Sequence, residues 1–352
     1  MIRLKDIAER AGVSIMTVSK ALRNAPDVSA TTKTQIKLLA QQLGYVPDSS
    51  AQGLRTRRTK LFGVGVSSLS NPVVARILLA IEERAYELGY DVLLAQSLNI
   101  PEREEACVQR FLSRRVDGLF IAPVYRIATE ARIYKELAAR RIPTVLLGHT
   151  APFCSQFVSV ACDDLLASYA ATQHLLKLGH RRIAFLSGPV GAPWSQERFE
   201  GYRRALREAN MDADEKLVFQ AGRSIEDGSK AALQMINESS DATAVQTVND
   251  LVAVGCAQAL LNQGLRIPED ISIVGFGNIL MSEHFRVPLT TVRQPKFRLG
   301  AAAVESMQQI LLGRRIESKR LPAELQVRSS SGIAPATYPL KDKRSVIKES
   351  TV

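Results

Sequence analysis

The sequence has no apolar run approaching the length of a membrane-spanning helix, and its cysteines are few and scattered. The longest apolar runs fall well short of the roughly 20 residues that cross a bilayer. The segment Met1–Ile7 carries charges where a signal peptide has its apolar stretch. The four cysteines form no CxxC pair and have no closely spaced histidine, so neither a zinc site nor a redox pair is predicted. We therefore expect a cytoplasmic protein with reduced thiols and no membrane contact.

Motifs that mark enzyme active sites and nucleotide-binding loops are missing too. The chain contains no GxSxG, HExxH or Walker A sequence, and Gly63-Val-Gly65 lacks the third glycine of a dinucleotide-binding loop. Its four histidines are scattered, and His180 lies in a Gly-His-Arg-Arg segment where a structural role is the simpler interpretation. We therefore predict that the protein is not an enzyme and needs neither a cofactor nor a metal.

What the chain does have is a concentration of positive charge near its start. The 352 residues carry a net charge of +11. Residues 1–60 contain eleven Lys and Arg against four Asp and Glu, a net charge of +7, so residues 61–352 carry only +4. This asymmetry predicts that a small unit binds a polyanion while a near-neutral body, long enough for one or two further domains, has another task. A solvated basic face is the alternative.

Three short helices are predicted in the first 46 residues. Apolar residues at helical spacing place the first at about 4–11, the second at about 15–23 and the third after Ser29. Between the first two, Gly12 permits a left-handed corner and Ser14 can cap the following helix. A helix, a tight glycine turn and a second helix form the arrangement of a helix-turn-helix.

The outward face of the second helix favours DNA as the polyanion. The residues on that face are Met16, Ser19, Lys20 and Arg23. No acid occurs between Ser14 and Pro26, and acidic side chains at that face would be repelled by phosphates. An α-helix fits the major groove and presents its first residues to base edges. A helical hairpin buried in a core is the alternative.

This segment resembles the headpiece of the LacI/GalR repressors. The similar segments are Leu4-Lys-Asp-Ile-Ala-Glu-Arg-Ala-Gly-Val-Ser14, Thr17-Val-Ser-Lys-Ala-Leu-Arg-Asn24, Val28-Ser29 and Leu43-Gly-Tyr-Val-Pro47. The resemblance implies that Ile15, Met16 and Lys20 read bases in the major groove. It implies further contacts, with the phosphate backbone or flanking bases, by Thr17, Ser19, Asn24 and Ser29. Apolar Ile15 and Met16 cannot make bidentate hydrogen bonds, so we expect them to favour thymine methyl groups.

Residues 47–60 alone would be interpreted as a basic linker, since so short a polar helix is marginal in isolation. In the family this segment is a hinge helix that forms when two copies pair in the DNA minor groove, where a leucine from each chain wedges into a base step. By the resemblance, Leu54 matches that leucine and Ala51 a helix–helix contact. Asp48 stands where asparagine is usual, and Gly53 weakens a helix by roughly 1 kcal/mol.

From residue 61 onward, short β-rich runs alternate with amphipathic helical segments such as 74–88. The predicted strands are 61–66, 90–95, 118–122, 144–147, 157–160, 182–186, 244–248 and 271–276. Alternation of this kind predicts doubly wound parallel sheets. About 280 residues hold too many strands for one sheet, so we expect two α/β lobes with a ligand cleft at the carboxyl ends of the strands.

The resemblance continues into the periplasmic-binding-protein-like type I sensor of the same family. The similar segments include Asn71-Pro72, Val160-Ala-Cys-Asp163, Gly179-His-Arg-Arg-Ile-Ala-Phe-Leu-Ser-Gly-Pro189, Arg198-Phe-Glu-Gly-Tyr202, Val248-Asn-Asp250 and Pro288-Leu-Thr-Thr-Val-Arg-Gln-Pro295. The implied domains are a headpiece at 1–46, a hinge at 47–60, a sensor at 61–336 and a basic polar tail at 337–352. Within the sensor the resemblance implies an N-lobe of about 61–161 plus 291–322 and a C-lobe of about 162–290 plus 323–336.

By this resemblance, an effector lies between the lobes. The implied contacts are Asn71, Val73, Asp163, Trp194, Arg198 and Asn249. These residue types suit a carbohydrate-like ligand, because amides and charged groups bond hydroxyls while tryptophan offers a flat apolar wall. For Arg198 the alternative is a place on a solvated helix beside Tyr202, and for Trp194 it is loop packing.

Two positions depart from the sugar-binding pattern. The family's Gly-Phe-Asp reads Gly275-Phe-Gly277 here, and Ser224 stands where many members carry an aromatic residue. Loss of a charge-assisted hydrogen bond typically removes roughly 1.5–3 kcal/mol. Three explanations stay open: Asn278 substitutes for the missing carboxylate, the ligand is not an ordinary monosaccharide, or the cleft senses a protein partner.

The residues and the resemblance together predict a dimeric transcriptional regulator, most simply a repressor, that binds double-stranded operator DNA of near-palindromic sequence. The tail at 337–352 lacks an a/d leucine repeat, so no tetramerising coiled coil is expected. A solute-binding protein without a DNA role is the alternative from another class, and a regulator gated by a protein partner is a further one.

Overall fold

The computed structural model describes residues 2–46, 58–238 and 241–336. The chain divides into two compact units, 1–59 and 60–352, which are taken separately below. No helix among the described residues is both long enough and apolar enough to cross a membrane.

The first unit is a three-helix domain. Its helices are α1 (Leu4–Ala11), α2 (Ile15–Leu22) and α3 (Ala30–Gln42). A small apolar core holds them together, and its buried members are Ile7, Ala8, Val18, Ala21, Ile36 and Ala40. Gly12 ends α1 with a φ of 64°, the left-handed conformation that glycine adopts without strain. The predicted helices and their glycine turn therefore lie where helical periodicity places them.

The second unit contains two six-stranded sheets. The strands of the first sheet are β1 (Leu61–Val66), β2 (Asp91–Gln96), β3 (Gly118–Ile121), β4 (Thr144–Leu147), β5 (Val158–Cys162) and β11 (Lys319–Leu321). Those of the second sheet are β6 (Ile183–Ser187), β7 (Val218–Gln220), β8 (Ala244–Thr247), β9 (Ser272–Phe276), β10 (Thr290–Arg293) and β12 (Glu324–Gln326). The spatial orders are β2-β1-β3-β4-β5-β11 and β7-β6-β8-β9-β10-β12. All neighbours run parallel except β10 and β12.

Helices cover both faces of each sheet, as parallel sheets require. The helices of the first lobe are α4 (Pro72–Glu87), α5 (Pro101–Ser113), α6 (Arg132–Ala139) and α12 (Lys296–Leu311). Those of the second lobe are α7 (Asp164–Lys177), α8 (Pro193–Glu208), α9 (Ile225–Asn237), α10 (Asp250–Asn262) and α11 (Leu280–His284). Single 3₁₀ turns lie at Pro152–Cys154 and Glu215–Leu217.

The chain passes between the lobes three times. The first passage follows β5, the second lies between β10 and α12, and the third between β11 and β12. The prediction that the first lobe resumes at residue 291 is therefore wrong by a few residues. Three residues of β10, Thr290 to Val292, pair with β9 of the second lobe, and Val292 is buried in the core of that lobe, so the strand belongs to the second sheet.

Candidate DNA-reading face and ligand cavity

The start of α2 presents its side chains outward. Ser14 caps the helix, with its hydroxyl oxygen accepting from the Thr17 backbone N–H at 3.0 Å. Val18 and Ala21 face the core, which turns Ile15 and Met16 to the surface, where they are 48% and 64% exposed. Exposed apolar side chains at a helix start are unfavourable in water and suit an apolar surface such as thymine methyl groups.

Lys20 lies on the same helix and pairs with a carboxylate beyond its end. Its ammonium group donates to Asp27, and this hydrogen bond lowers the pKa of the Asp27 carboxyl. Both side chains are substantially exposed, so the pair contributes little to stability. The acid-free stretch of the sequence therefore ends just before Asp27, whose carboxylate pairs with Lys20, a residue predicted to read bases.

The four residues predicted to contact the DNA backbone have local structural roles as well. Thr17 shares a hydrogen bond between hydroxyls with Ser14, and the carbonyl of Ser19 accepts from the Arg23 side chain at 2.9 Å. Ser29 caps α3, and the Asn24 amide oxygen accepts from Lys37 at 2.6 Å. Ala51 and Leu54 lie outside the described residues.

A cavity of about 390 Å³ lies between the two lobes of the second unit, at the carboxyl ends of both parallel sheets. Its first-lobe wall includes Ser67, Asn71, Val73, Asn99, Tyr125, His149 and Cys162. Its second-lobe wall includes Asp164, Trp194, Arg198, Arg223, Ser224, Asn249, Asp250 and Phe276. The volume falls in the range of small-molecule sites.

Arg198 and Asp164 form a buried ion pair in this wall. Two guanidinium nitrogens of Arg198 donate to Asp164 Oδ1 at 2.9 and 2.7 Å, and the third donates to the Val248 carbonyl at 2.6 Å. The guanidinium also stacks 3.6 Å from the centre of the Phe276 ring. Burial, the largest single effect, would raise the pKa of Asp164, but the charge of Arg198 and the contacts with His149 and Arg198 together outweigh burial, and the pKa is lowered. Arg198 is 7% exposed, so its interpretation as part of a solvated helix is wrong.

Two further contacts join the lobes beside the cavity. His149, in the first lobe, lies 2.6 Å from Asp164 Oδ2. Arg320 on β11 forms a bidentate pair with Glu197 on α8, with distances of 2.9 and 2.6 Å. Both contacts cross the interlobe boundary, so a change in lobe angle would disturb them together.

The predicted acidic contact is displaced by one residue. Asp163 is not part of the cavity wall, because its carboxylate caps α7 by accepting from the Leu166 N–H at 3.2 Å. Asp164 points into the cavity instead. Helix geometry explains the difference, since an N-cap side chain folds back on its own helix while the next residue projects about 100° away.

Four other predicted effector contacts do line the cavity: Asn71, Val73, Trp194 and Asn249. Asn71 and Asn249 cap α4 and α10 through their amide oxygens, which fixes the orientation of each side chain. Trp194 is half-buried, and its side chain both packs against the second-lobe core and lines the cavity.

The structure also shows the surroundings of Gly277 and Ser224, the two positions that depart from the sugar-binding pattern. Gly277 has a φ of 139°, and a Cβ there would lie 3.3 Å from Asp250 Oδ2 and 3.5 Å from Val73 Cγ2. Asn278 does not replace the missing carboxylate, because its side-chain oxygen accepts from Arg328 at 2.7 Å and it is not part of the wall. Ser224 lines the cavity and caps α9.

Sequence reasoning did not anticipate His149, Asp164, Arg223 or Asp250 in the cavity. Each follows the carboxyl end of a strand within a few residues, which was the available signal. Among the described residues, no group of three or more His, Cys, Asp or Glu side chains is placed to hold a metal ion.

Comparisons with known proteins agree with this architecture. Residues 3–48 match the model of bacterial regulatory proteins of the lacI family, and residues 172–331 match a periplasmic binding protein-like domain. The chain is 32% identical over 328 residues to the HTH-type transcriptional regulator DegA of Bacillus subtilis (strain 168), covering 93% of this chain and 97% of DegA. It is 33% identical over 305 residues to the HTH-type transcriptional repressor PurR of Vibrio atlanticus (strain LGP32), covering 87% and 90%. A crystal structure of the lac repressor dimer bound to operator and the anti-inducer ONPF matches with a TM-score of 0.85 and 29% identity, covering 94% of this chain and 99% of that one. The chain therefore belongs to the LacI family of bacterial regulatory proteins.

Proposed function

We propose that the protein is a cytoplasmic repressor that binds a near-palindromic operator as a homodimer and releases or tightens it in response to a small ligand. Family membership supports the DNA-binding role, and the match of residues 3–48 weighs against a solute-binding protein without one. The dimer and the operator are supported by the lac repressor relative, whose structure contains both.

The reading of DNA is assigned to the exposed start of α2. Ile15 and Met16 contact thymine methyl groups, and Lys20 exchanges its exposed partner Asp27 for a base edge or a phosphate. Thr17, Ser19, Asn24 and Ser29 position the helix on the backbone. Ala51 and Leu54 act in the minor groove, with Leu54 as the wedge.

Control by a ligand is assigned to the interlobe cavity, and one observation carries this proposal. The walls come from both lobes, and Asp164 touches the cavity while bonding His149 across the boundary. A ligand that contacts Asn71 or Val73 on one side and Trp194, Arg198 or Asn249 on the other therefore favours one lobe angle. We therefore assign the cavity a ligand-binding role. A protein partner as the controlling ligand is the second candidate, favoured by the loss of the carboxylate at Gly277.

Operator selection tests the DNA-binding role directly. The full chain would be used to select duplexes from a random pool at fixed salt, because affinity for DNA depends steeply on salt. The expected product contains two inverted half-sites about one helical turn apart. Leu54→Ala should weaken binding to that duplex without changing the unfolding curve. Unselective enrichment, or full affinity in Leu54→Ala, would contradict the proposal.

A further inference from the structure

One positively charged side chain in the cavity wall, that of Arg223, forms no ion pair with any described residue. Two carboxyl and two guanidinium side chains line the cavity: Asp164, Asp250, Arg198 and Arg223. Asp164 and Arg198 neutralise each other. Asp250 accepts from Thr291 at 2.5 Å, from Ser282 at 2.7 Å and from the Ile279 N–H at 2.9 Å, and Lys296 lies close enough to act on it electrostatically.

Arg223 differs from the other three. Its side chain is half-buried, and its Nε is fully buried with no hydrogen-bond partner. No described carboxylate forms an ion pair with it, and burial lowers the pKa of the guanidinium. A buried donor without a partner costs free energy unless a group from outside the chain satisfies it.

Hydrogen bonds anchor the main chain of Arg223 beside the cavity. Its N–H donates to Asp227 at 3.0 Å, and its carbonyl accepts from the Asn249 side chain at 3.3 Å. The guanidinium lies 5.8 Å from the centre of the Trp194 ring, which also lines the cavity. The side chain of Arg223 therefore starts from an anchored backbone and has its charge beside the aromatic wall.

The residues next to Arg223 and Phe276 are small. Ser224 follows Arg223 and lines the cavity with a short hydroxyl side chain, and Gly277 follows the wall residue Phe276 and has no side chain. Neither residue places a negative charge or a bulky ring where it would oppose an anionic ligand.

We infer that the ligand of this cavity carries a carboxylate or phosphate group, which Arg223 binds through charge-assisted hydrogen bonds while the amides and the Trp194 ring hold its polar body. This inference rests on the proposed function of the cavity as the effector site. Arginine suits either anion because its planar fork matches two oxygens at once.

The test uses the full chain with matched anionic and neutral probes at constant ionic strength. The probes are glucose, gluconate, glucose 6-phosphate, ribose, ribose 5-phosphate and inorganic phosphate, measured by thermal shift and titration calorimetry. We expect at least one anionic probe to bind more tightly than its neutral parent. Arg223→Gln should weaken that probe tenfold or more, while Arg223→Lys retains part of the affinity. The affinity for gluconate compared with that for the two sugar phosphates shows whether a carboxylate or a phosphate is preferred.

Arg203→Gln is the matched control, because Arg203 is exposed on α8 and is not part of the cavity wall. It should bind the probes like the wild-type chain. Neutral sugars that bind as tightly as their anionic derivatives, anions that bind Arg223→Gln unchanged, or no binding by any anionic probe would each overturn the inference.

A second measurement does not depend on the choice of probe. Without ligand, Arg223→Gln should be at least as stable as the wild-type chain in urea, since it removes an unsatisfied charge. A clear loss of stability would assign the guanidinium a structural role instead. The proposed function is tested by a separate outcome. If operator affinity responds to a neutral sugar, regulation by a ligand is supported and the anion site is refuted. If an anion binds without changing operator affinity, the anion site is supported and regulation through this cavity is refuted.

Discussion

The imidazole of His149 lies 2.6 Å from the Asp164 carboxylate, and this contact joins the two lobes at the edge of the cavity. The other oxygen of Asp164 is held by Arg198, so one carboxylate connects a first-lobe side chain, a second-lobe side chain and the cavity wall. A ligand that displaces any of the three changes the contacts of the others.

Removal of the Asp164 charge should destabilise the second unit strongly. Asp164→Asn leaves the buried Arg198 without its counterion, and breaking such a pair from one side costs about 3–5 kcal/mol. Asp163→Asn is a matched control one residue away, because asparagine caps helices as well as aspartate does. Urea unfolding measures both. Equal losses in the two variants would show that the ion pair contributes no more than the helix cap.

Stability should fall as the pH drops below about 6.5. His180 is fully buried, with ring nitrogens 2.9 Å from the Thr243 hydroxyl and 3.0 Å from the Ser272 hydroxyl, and burial lowers its pKa. The unfolded chain, with an ordinary histidine pKa near 6.5, takes up the proton before the folded chain does. The contribution of His180 to stability is therefore complete above that pH and is lost as the pH falls from the unfolded-state pKa to the lower folded-state pKa.

Unfolding midpoints from pH 8 to pH 5 test this pH dependence. His180→Gln should reduce the slope, leaving a remainder from His174, whose pKa burial also lowers. His284 is exposed, so His284→Gln should keep the wild-type slope. A slope that is unchanged in His180→Gln would refute the assignment.

Much of the fold could be predicted because parallel strands buried on both faces are continuous apolar runs. The strands β1 and β4 have the predicted bounds, and β3, β8 and β9 differ by one residue. The strands β7, β10, β11 and β12 were not predicted, because each has three or four residues and none contains more than two consecutive apolar residues. Their assignment requires the neighbouring strand, which the local sequence does not contain.

The site could be predicted less completely. The end of a strand shows which part of the fold a residue lies in, but it does not show where the side chain points. Asp163 and Asp164 share one strand end, yet only Asp164 points into the cavity. Arg198 was predicted as an effector contact, and the alternative of a solvated helix could be rejected only once separate elements placed Asp164 and Val248 beside it. The pairing of Lys20 with Asp27 depends likewise on a turn that charge counting ignores.

Restoring a carboxylate at Gly277 should not restore a sugar site. Gly277→Asp places a side chain at a φ of 139° beside Asp250, whose pKa burial already raises. Strain of about 1–3 kcal/mol is expected, with added repulsion between the carboxylates. Gly191→Asp is the control, because a Cβ there meets open space. Thermal unfolding compares the two variants. Wild-type stability in Gly277→Asp together with new glucose binding would contradict the prediction.

Charge changes around α2 should alter operator binding in opposite directions. Lys20→Glu should abolish specific binding, whereas Asp27→Asn should strengthen it several-fold because Lys20 is released and a negative charge is removed. Lys5→Gln, on the exposed face of α1, serves as the control. Fluorescence anisotropy with the selected operator at fixed salt gives the three affinities. Intact binding by Lys20→Glu would exclude Lys20 from the groove.

The most direct test of ligand control is operator affinity with and without a saturating cavity ligand. The ligand would be the probe with the largest thermal shift, and the duplex would be the selected operator at constant ionic strength. Coupling between the two sites predicts a change in operator Kd of about 5- to 150-fold, and an equal change in ligand affinity when operator is present. An operator Kd that is the same with and without the bound ligand would contradict the account.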